Sequence, residues 1–228
     1  FLDSHQHMPL ACDKLRRFSG IFITDSTQIR LPQTLKPLFK GYHGSAALKF
    51  QVTLDYLHGQ IKMVQTTEGN QPDQKCDQAI RQALPNSLNL FDLGYFKQEY
   101  LSDMDRQDAF FITRYQTQTA LYDPQTGEKI DLEAWLNEQK VSEMERVCLI
   151  GGRVRLSVRL LARRLPENVA ASRRRKAKRK ARSEGKTCSA RYLALLGWEI
   201  LITNLSSQAW SMADIFRLYP LRWQIELI

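Results

Sequence analysis

The four cysteines, Cys12, Cys76, Cys148 and Cys188, are far apart and form no C-x-x-C pair. That spacing excludes a compact zinc knuckle or dithiol redox motif and leaves buried thiols in a reducing compartment as the expectation. Long apolar runs are also missing. The longest mostly apolar stretch, residues 192–205, contains Glu199 and Asn204 and is too short and too polar to span a bilayer. The first residues, with Asp3, His5 and His7, carry no apolar signal segment. A cytoplasmic chain with no membrane partner is expected. There is no internal repeat and no Gly/Ser-rich linker, so 228 residues point to one substantial domain with an inserted lobe. There is no initiating Met, and the chain stops at Ile228, which suggests an internal piece of a longer protein.

Hydrophobic residues at 43% and charged residues at 25% are ordinary for a globular chain. The net charge of +9 is unusual in its location: residues 173–182 read RRRKAKRKAR, eight basic residues and no acid. Removing that run would leave almost no net charge. Such a local field suits a polyanion such as nucleic acid or, less specifically, an acidic membrane surface. Its members, Arg173, Arg174, Arg175, Lys176, Lys178, Arg179, Lys180 and Arg182, are candidate DNA contacts on a helix that is polar nearly all round.

Residues 20–24, GIFIT, are apolar and β-branched, and Asp25 and Ser26 interrupt them, which predicts a strand with a carboxylate at its exit. Residues 48–59 and 60–69 predict two strands joined by a short hairpin junction. Helical spacing follows over 70–84, with Pro72 near its start. SLNLFD (87–92) reads as a buried strand delivering Asp92, KQEYLSDMDRQD (97–108) as a helix and AFFITRY (109–115) as a strand. This order is that of an α/β fold with a ribonuclease H-like mixed sheet flanked by helices.

After Tyr115 the alternation stops. A turn at 123–127, a short helix near 132–139 and the period-two segment RVRLSVRL (153–160) follow. The last predicts a half-buried strand with Arg153, Arg155 and Arg159 on a basic solvent face, extending the DNA track. WEILITNL (198–205), opened by Trp198, suggests return to the main body, and a helix over about 212–228 is divided or kinked by Pro220. The expected domains are 20–115, the first part of the core; 116–190, an inserted β-rich and basic lobe; and 191–228, the truncated end of the core.

Asp25, Asp92 and Glu226 are the candidate metal ligands, because hard divalent ions take carboxylate oxygens and clustered acids need cations between them. No His, Cys or Lys cluster offers a competing mechanism. Tyr219, Arg222 and Glu226 stand at i, i+3 and i+7, within about 60° of one face of an α-helix. An arginine there can hold a scissile phosphate or orient the carboxylate, and a tyrosine hydroxyl can donate to a phosphate oxygen.

The blocks ITDST (23–27), NLFDLGYF (89–96) and YPLRWQIE (219–226) resemble those of bacterial insertion-sequence transposases of the DDE class, in the group named after insertion sequence 4. The last fits the Y-x2-R-x3-E signature, whose further Lys would fall seven residues after Glu226, past Ile228. The resemblance runs from about Gly20 onward. It implies a ribonuclease H-like core with a largely β-stranded insertion before the last catalytic helix. It also implies binding of terminal inverted repeats and target DNA by a synaptic homodimer, and cleavage with Mg²⁺ or Mn²⁺ followed by attack of the freed 3′-hydroxyl on another phosphodiester. In members that pass through a DNA hairpin, a Trp before the last helix holds a flipped base, and Trp198 is the position that matches. A metal-dependent nuclease without strand transfer and a non-catalytic DNA-binding remnant are the alternatives.

Overall fold

The computed structural model describes residues 12–227 apart from 77–82 and 139–140. They form two compact units: the chain up to Thr113 together with the chain from Leu205, and Arg114–Asn204.

In the first unit the strands are β1 (Ile21–Leu31), β2 (Ala46–Asp55), β3 (Gln60–Glu68), β4 (Leu88–Phe91) and β5 (Phe110–Arg114). They lie in the order β3-β2-β1-β4-β5. β1, β2 and β3 pair antiparallel, whereas β1–β4 and β4–β5 are parallel. This is the mixed sheet of a ribonuclease H-like α/β fold. All four residues of β4 are buried, the polar Asn89 included, whose amide donates to Ser87 Oγ and Phe110 O. The hairpin between β2 and β3 turns through Gly59, whose φ of 63° is readily available only without a Cβ.

One expectation for β1 is corrected. The strand does not end before Asp25 but runs on to Leu31, paired with β2 throughout. Only its first half is covered on both edges, because β4 stops opposite Thr24. Burial falls at that point, from four buried residues to a mostly exposed remainder. The polar DSTQ segment therefore marks a change in surroundings, not the end of the strand.

Helix α1 (Gln98–Arg106) buries Tyr100, Leu101 and Met104. Of the helix expected over 70–84, residues 77–82 lie outside the described residues; the described part includes a single 3-10 turn, Asp73–Lys75, after Pro72.

In the second unit the elements are β6 (Leu121–Tyr122), α2 (Leu132–Glu138), β7 (Glu143–Ile150), β8 (Leu156–Arg164), α3 (Glu167–Ser183), α4 (Ala190–Leu195) and β9 (Trp198–Thr203). β6, β7, β8 and β9 pair antiparallel in that order. The alternation over 153–160 misplaces the strand. Arg153 and Arg155 precede β8, and Arg159 lies inside it, 6% exposed and bound to Glu145 at 2.7 Å. Arg159 is instead buried and paired with Glu145 of β7, so the expected basic solvent face is absent there. In the same unit, burial pushes the Cys148 thiol up to about 12, the state of an inert packed cysteine.

Back in the first unit, α5 (Met212–Leu218) opens with a capping box in which Ser211 and Asp214 satisfy each other's backbone N–H groups. Pro220 lies just past its last residue. The chain continues not as an α-helix but as a 3-10 helix, Tyr219–Leu227. This last segment packs on β1 and β4. Among the described residues no helix is long and apolar enough to cross a membrane.

Candidate active site

Asp25 and Asp92 come together because β1 and β4 are parallel neighbours in register. Their last partners are Thr24 and Phe91, so the two aspartates are the next residues on adjacent strands. Neighbouring strands lie about 4.8 Å apart, and partners in register project to the same face. Asp92 keeps an extended backbone and begins the tight turn Leu93–Tyr95, and its Oδ1 is shielded from solvent. The Asp25 carboxylate is held at both oxygens. Oδ1 accepts the N–H of Ser26 at 2.8 Å, and Oδ2 accepts Nη1 of Arg222 at 2.9 Å.

Arg222 reaches Asp25 from the Tyr219–Leu227 segment. It is 3% exposed, and its guanidinium also lies 4.3 Å from the centre of the Trp223 ring. Trp223 is 47% exposed. The winding explains the disposition of the rest. A 3-10 helix turns about 120° per residue, so residues three apart eclipse. Tyr219 and Arg222 therefore share one face, and both are buried. Glu226 falls about 120° away on this winding, and it is exposed. An α-helix, at about 100° per residue, would return Glu226 to the Arg222 side.

Two carboxylates on neighbouring strands, just past the end of their shared register, are the hard oxygen donors that a divalent ion takes. Among the described residues no group of three or more His, Cys, Asp and Glu side chains is placed to hold a metal ion. Asp25 and Asp92 thus fit their share of such a site, and Glu226 is not gathered with them. With a cation between them, such carboxylates can face a phosphate diester and the oxygen that attacks it, and Arg222 orients the carboxylate of Asp25.

The family model described as "Transposase DDE domain" matches residues 16–228. The chain belongs to the DDE transposase domain family. The transposase for insertion sequence element IS231B of Bacillus thuringiensis subsp. berliner is 30% identical over 94% of this chain and 49% of its own length. That for IS1151 of Clostridium perfringens is 28% identical over 92% and 49%. The transposase domain thus spans about half the length of these curated relatives. Among solved structures, the piggyBac transposase synaptic complex with hairpin DNA aligns over 92% of this chain and 39% of that one, at 6% identity and a TM-score of 0.47.

In the second unit of the transposase domain the basic run lies on α3, and its residues divide into two sets. Arg173 donates to the backbone oxygen of Trp198, and Arg174 donates to Leu193 O at 3.1 Å and to Glu167 at 2.8 Å. Ala170 is buried, and Ala177 and Ala181 are half-buried, so these alanines and Arg174 recur along a docked seam. Arg175, Lys176, Lys178, Arg179, Lys180 and Arg182 are exposed. Arg153 and Arg155 are exposed as well, Arg155 lying 4.1 Å above the Tyr122 ring. Trp198 is 7% exposed, with the Arg164 guanidinium 4.6 Å from its ring.

Sequence reasoning missed a polar network beside the two aspartates. Lys49 is 6% exposed and bonded to Asp73 Oδ1 at 2.9 Å. Ser26 Oγ and Gln51 Nε2 donate to the same oxygen at 3.0 and 3.1 Å, and Tyr95 donates to Gln51. Burial, with Asp73 nearby, pushes the Tyr95 phenol well above its ordinary range, so it remains a donor. These bonds join residues 26, 49, 51, 73 and 95, and no local spacing announces such a set.

Proposed function

We propose that this chain is the catalytic part of a DNA transposase that cleaves phosphodiester bonds at the ends of its element, with divalent metal, and joins the freed 3′-hydroxyl to target DNA. What supports the reading is the pair formed by Asp25 and Asp92 beyond the last register partners of β1 and β4, with Arg222 on the first of them. Family membership points the same way.

Asp25 and Asp92 would hold Mg²⁺, with Mn²⁺ as a substitute, which when bound supplies activation of the attacking oxygen and charge compensation at the leaving oxygen; Glu226 would join them as third ligand once the last segment winds as an α-helix, which returns it to the Arg222 side. Arg222 keeps the Asp25 carboxylate oriented, and Tyr219, one 3-10 turn earlier, assists in positioning the phosphate. In cleavage, a water oxygen bonds to phosphorus as the bond to the 3′-oxygen breaks; water's proton is lost and the departing oxygen is protonated, leaving a 3′-hydroxyl and a 5′-phosphate. In transfer, that 3′-hydroxyl oxygen bonds to a target phosphorus and loses its proton, and the target's 3′-oxygen departs and takes one up.

In this reading residues 20–115 and 191–228 form the core and 116–190 the inserted lobe. The exposed side chains of α3, with Arg153 and Arg155, track phosphates of the terminal repeats and target without reading bases. Two element ends call for a synaptic dimer, acting in the cytoplasm. The test supplies a pre-cut terminal-repeat duplex and intact target DNA. Joined product that disappears in Asp92→Asn, with DNA affinity retained, is expected. Fragments alone would mean a nuclease, and absence of any cleavage by the parent chain would mean a DNA-binding remnant.

A further inference from the structure

Asp73 lies outside the three sequence blocks that carry the family resemblance, yet it touches the chain on both sides of the aspartate pair. Toward Asp25, its Oδ1 accepts the hydroxyl of Ser26 at 3.0 Å, and the N–H of that same serine donates to Asp25 Oδ1 at 2.8 Å. Toward Asp92, the turn Leu93–Tyr95 packs against the turn Asp73–Lys75. An added Cβ on Gly94, two residues past Asp92, would lie 2.8 Å from Asp73 Oδ2, so a glycine permits this approach. Tyr95 closes the circuit by donating to Gln51, which donates to Asp73. Gln51 and Tyr95 are almost fully buried, which makes this a fixed polar network and not a solvated one.

We propose that Asp73 is a positioning residue that sets the placement of Asp25 relative to Asp92, acting through Ser26 on one side and the Gly94 turn on the other. Its negative charge is balanced by Lys49, which also donates to Gln71 O at 2.7 Å and so anchors the segment that carries Asp73. Its Oδ1 already takes three donors, from Ser26, Lys49 and Gln51, which suits this carboxylate to holding its neighbours. The proposal rests on the reading that Asp25 and Asp92 bind a divalent ion, and it adds that this binding depends on a residue which need not touch the ion.

The test is Mn²⁺ binding to the DNA-free chain, followed by electron paramagnetic resonance, alongside thermal melting. The variants are Asp25→Asn, Ser26→Ala, Ser26→Thr and the double variant Asp73→Ala with Lys49→Met, which leaves no buried ammonium without its carboxylate. The double variant is expected to weaken Mn²⁺ binding roughly 10–100-fold, the usual cost of losing a group that orients a ligand. Ser26→Ala should weaken it in the same direction, and Ser26→Thr, which keeps the hydroxyl, should restore it. Wild-type Mn²⁺ affinity in the folded double variant would overturn the proposal. If that variant does not fold, wild-type affinity in Ser26→Ala would overturn it instead. If Asp25→Asn leaves Mn²⁺ affinity unchanged, the reading of the aspartate pair fails; if Asp25→Asn weakens it and the other variants do not, only the role of Asp73 fails.

Discussion

Arg222 donates to Asp25 across 197 positions of sequence, with a 2.9 Å hydrogen bond and a guanidinium that is 3% exposed. The last segment of the chain is thereby fastened to the first strand at the carboxylate on which the proposed chemistry depends. Its buried Nε makes no hydrogen bond, so Nη1 and stacking on Trp223 hold the guanidinium in place.

Arg222→Ala should therefore lower both stability and activity. Removing one partner of a buried pair costs about 3–5 kcal/mol. Because Asp25 keeps 27% of its side chain in water, about 2 kcal/mol is expected here. Arg222→Lys should recover part of the stability and less of the cleavage, since an ammonium lacks the planar fork. Urea unfolding and cleavage rates of the two variants check this.

Changing Arg175, Lys176, Lys178, Arg179, Lys180 and Arg182 together to Gln should weaken DNA binding while the fold survives, because these side chains are exposed. The slope of log affinity against log salt should become shallower by about 0.9 for each phosphate no longer neutralised. Arg174→Ala should behave differently and lower the melting temperature, because Arg174 is spent on Leu193 O and Glu167. Fluorescence anisotropy across a salt series separates the two effects.

What the sequence disclosed follows from how local each signal is. Strand β4 and helix α1 were legible because apolar periodicity is set by near neighbours. The break at Pro220 was legible because proline lacks a donor wherever it sits. The aspartate pair was legible only as a pattern, since the register that joins β1 to β4 is a long-range property. Arg159 was misread as a surface charge because its partner, Glu145, lies on another strand. Glu226 was placed on the Arg222 face by α-helical arithmetic, and the tighter 3-10 winding moves it off.

Trp198→Ala should destabilise the chain by about 3–5 kcal/mol, the range for emptying a buried aromatic site. Trp198→Phe should leave cleavage and DNA affinity close to wild type, since the ring is buried beneath Arg164. Denaturant melts and a cleavage assay on the two variants check this.

Asp214 links the capping box of α5 to Lys14 near the start of the chain. Burial works against its ionisation, but Lys14 and Ser211 outweigh that and hold the carboxyl below its ordinary range. Its contribution is therefore present above the unfolded carboxylate value of about 3.9 and is lost as pH falls through the lower folded value. Asp214→Ala should cost about 1–2 kcal/mol at neutral pH, as for a lost helix cap. The difference from wild type should vanish in strong acid, which urea melts at a series of pH values would display.

The pairing of Asp25 with Asp92 as metal ligands is tested most directly by cleavage of terminal-repeat DNA with Asp92→Cys in two metals. A thiolate is a poor partner for Mg²⁺ and a better one for Mn²⁺. The variant should be inert in Mg²⁺ and regain activity in Mn²⁺. Cleavage at the wild-type rate in Mg²⁺ would contradict the account.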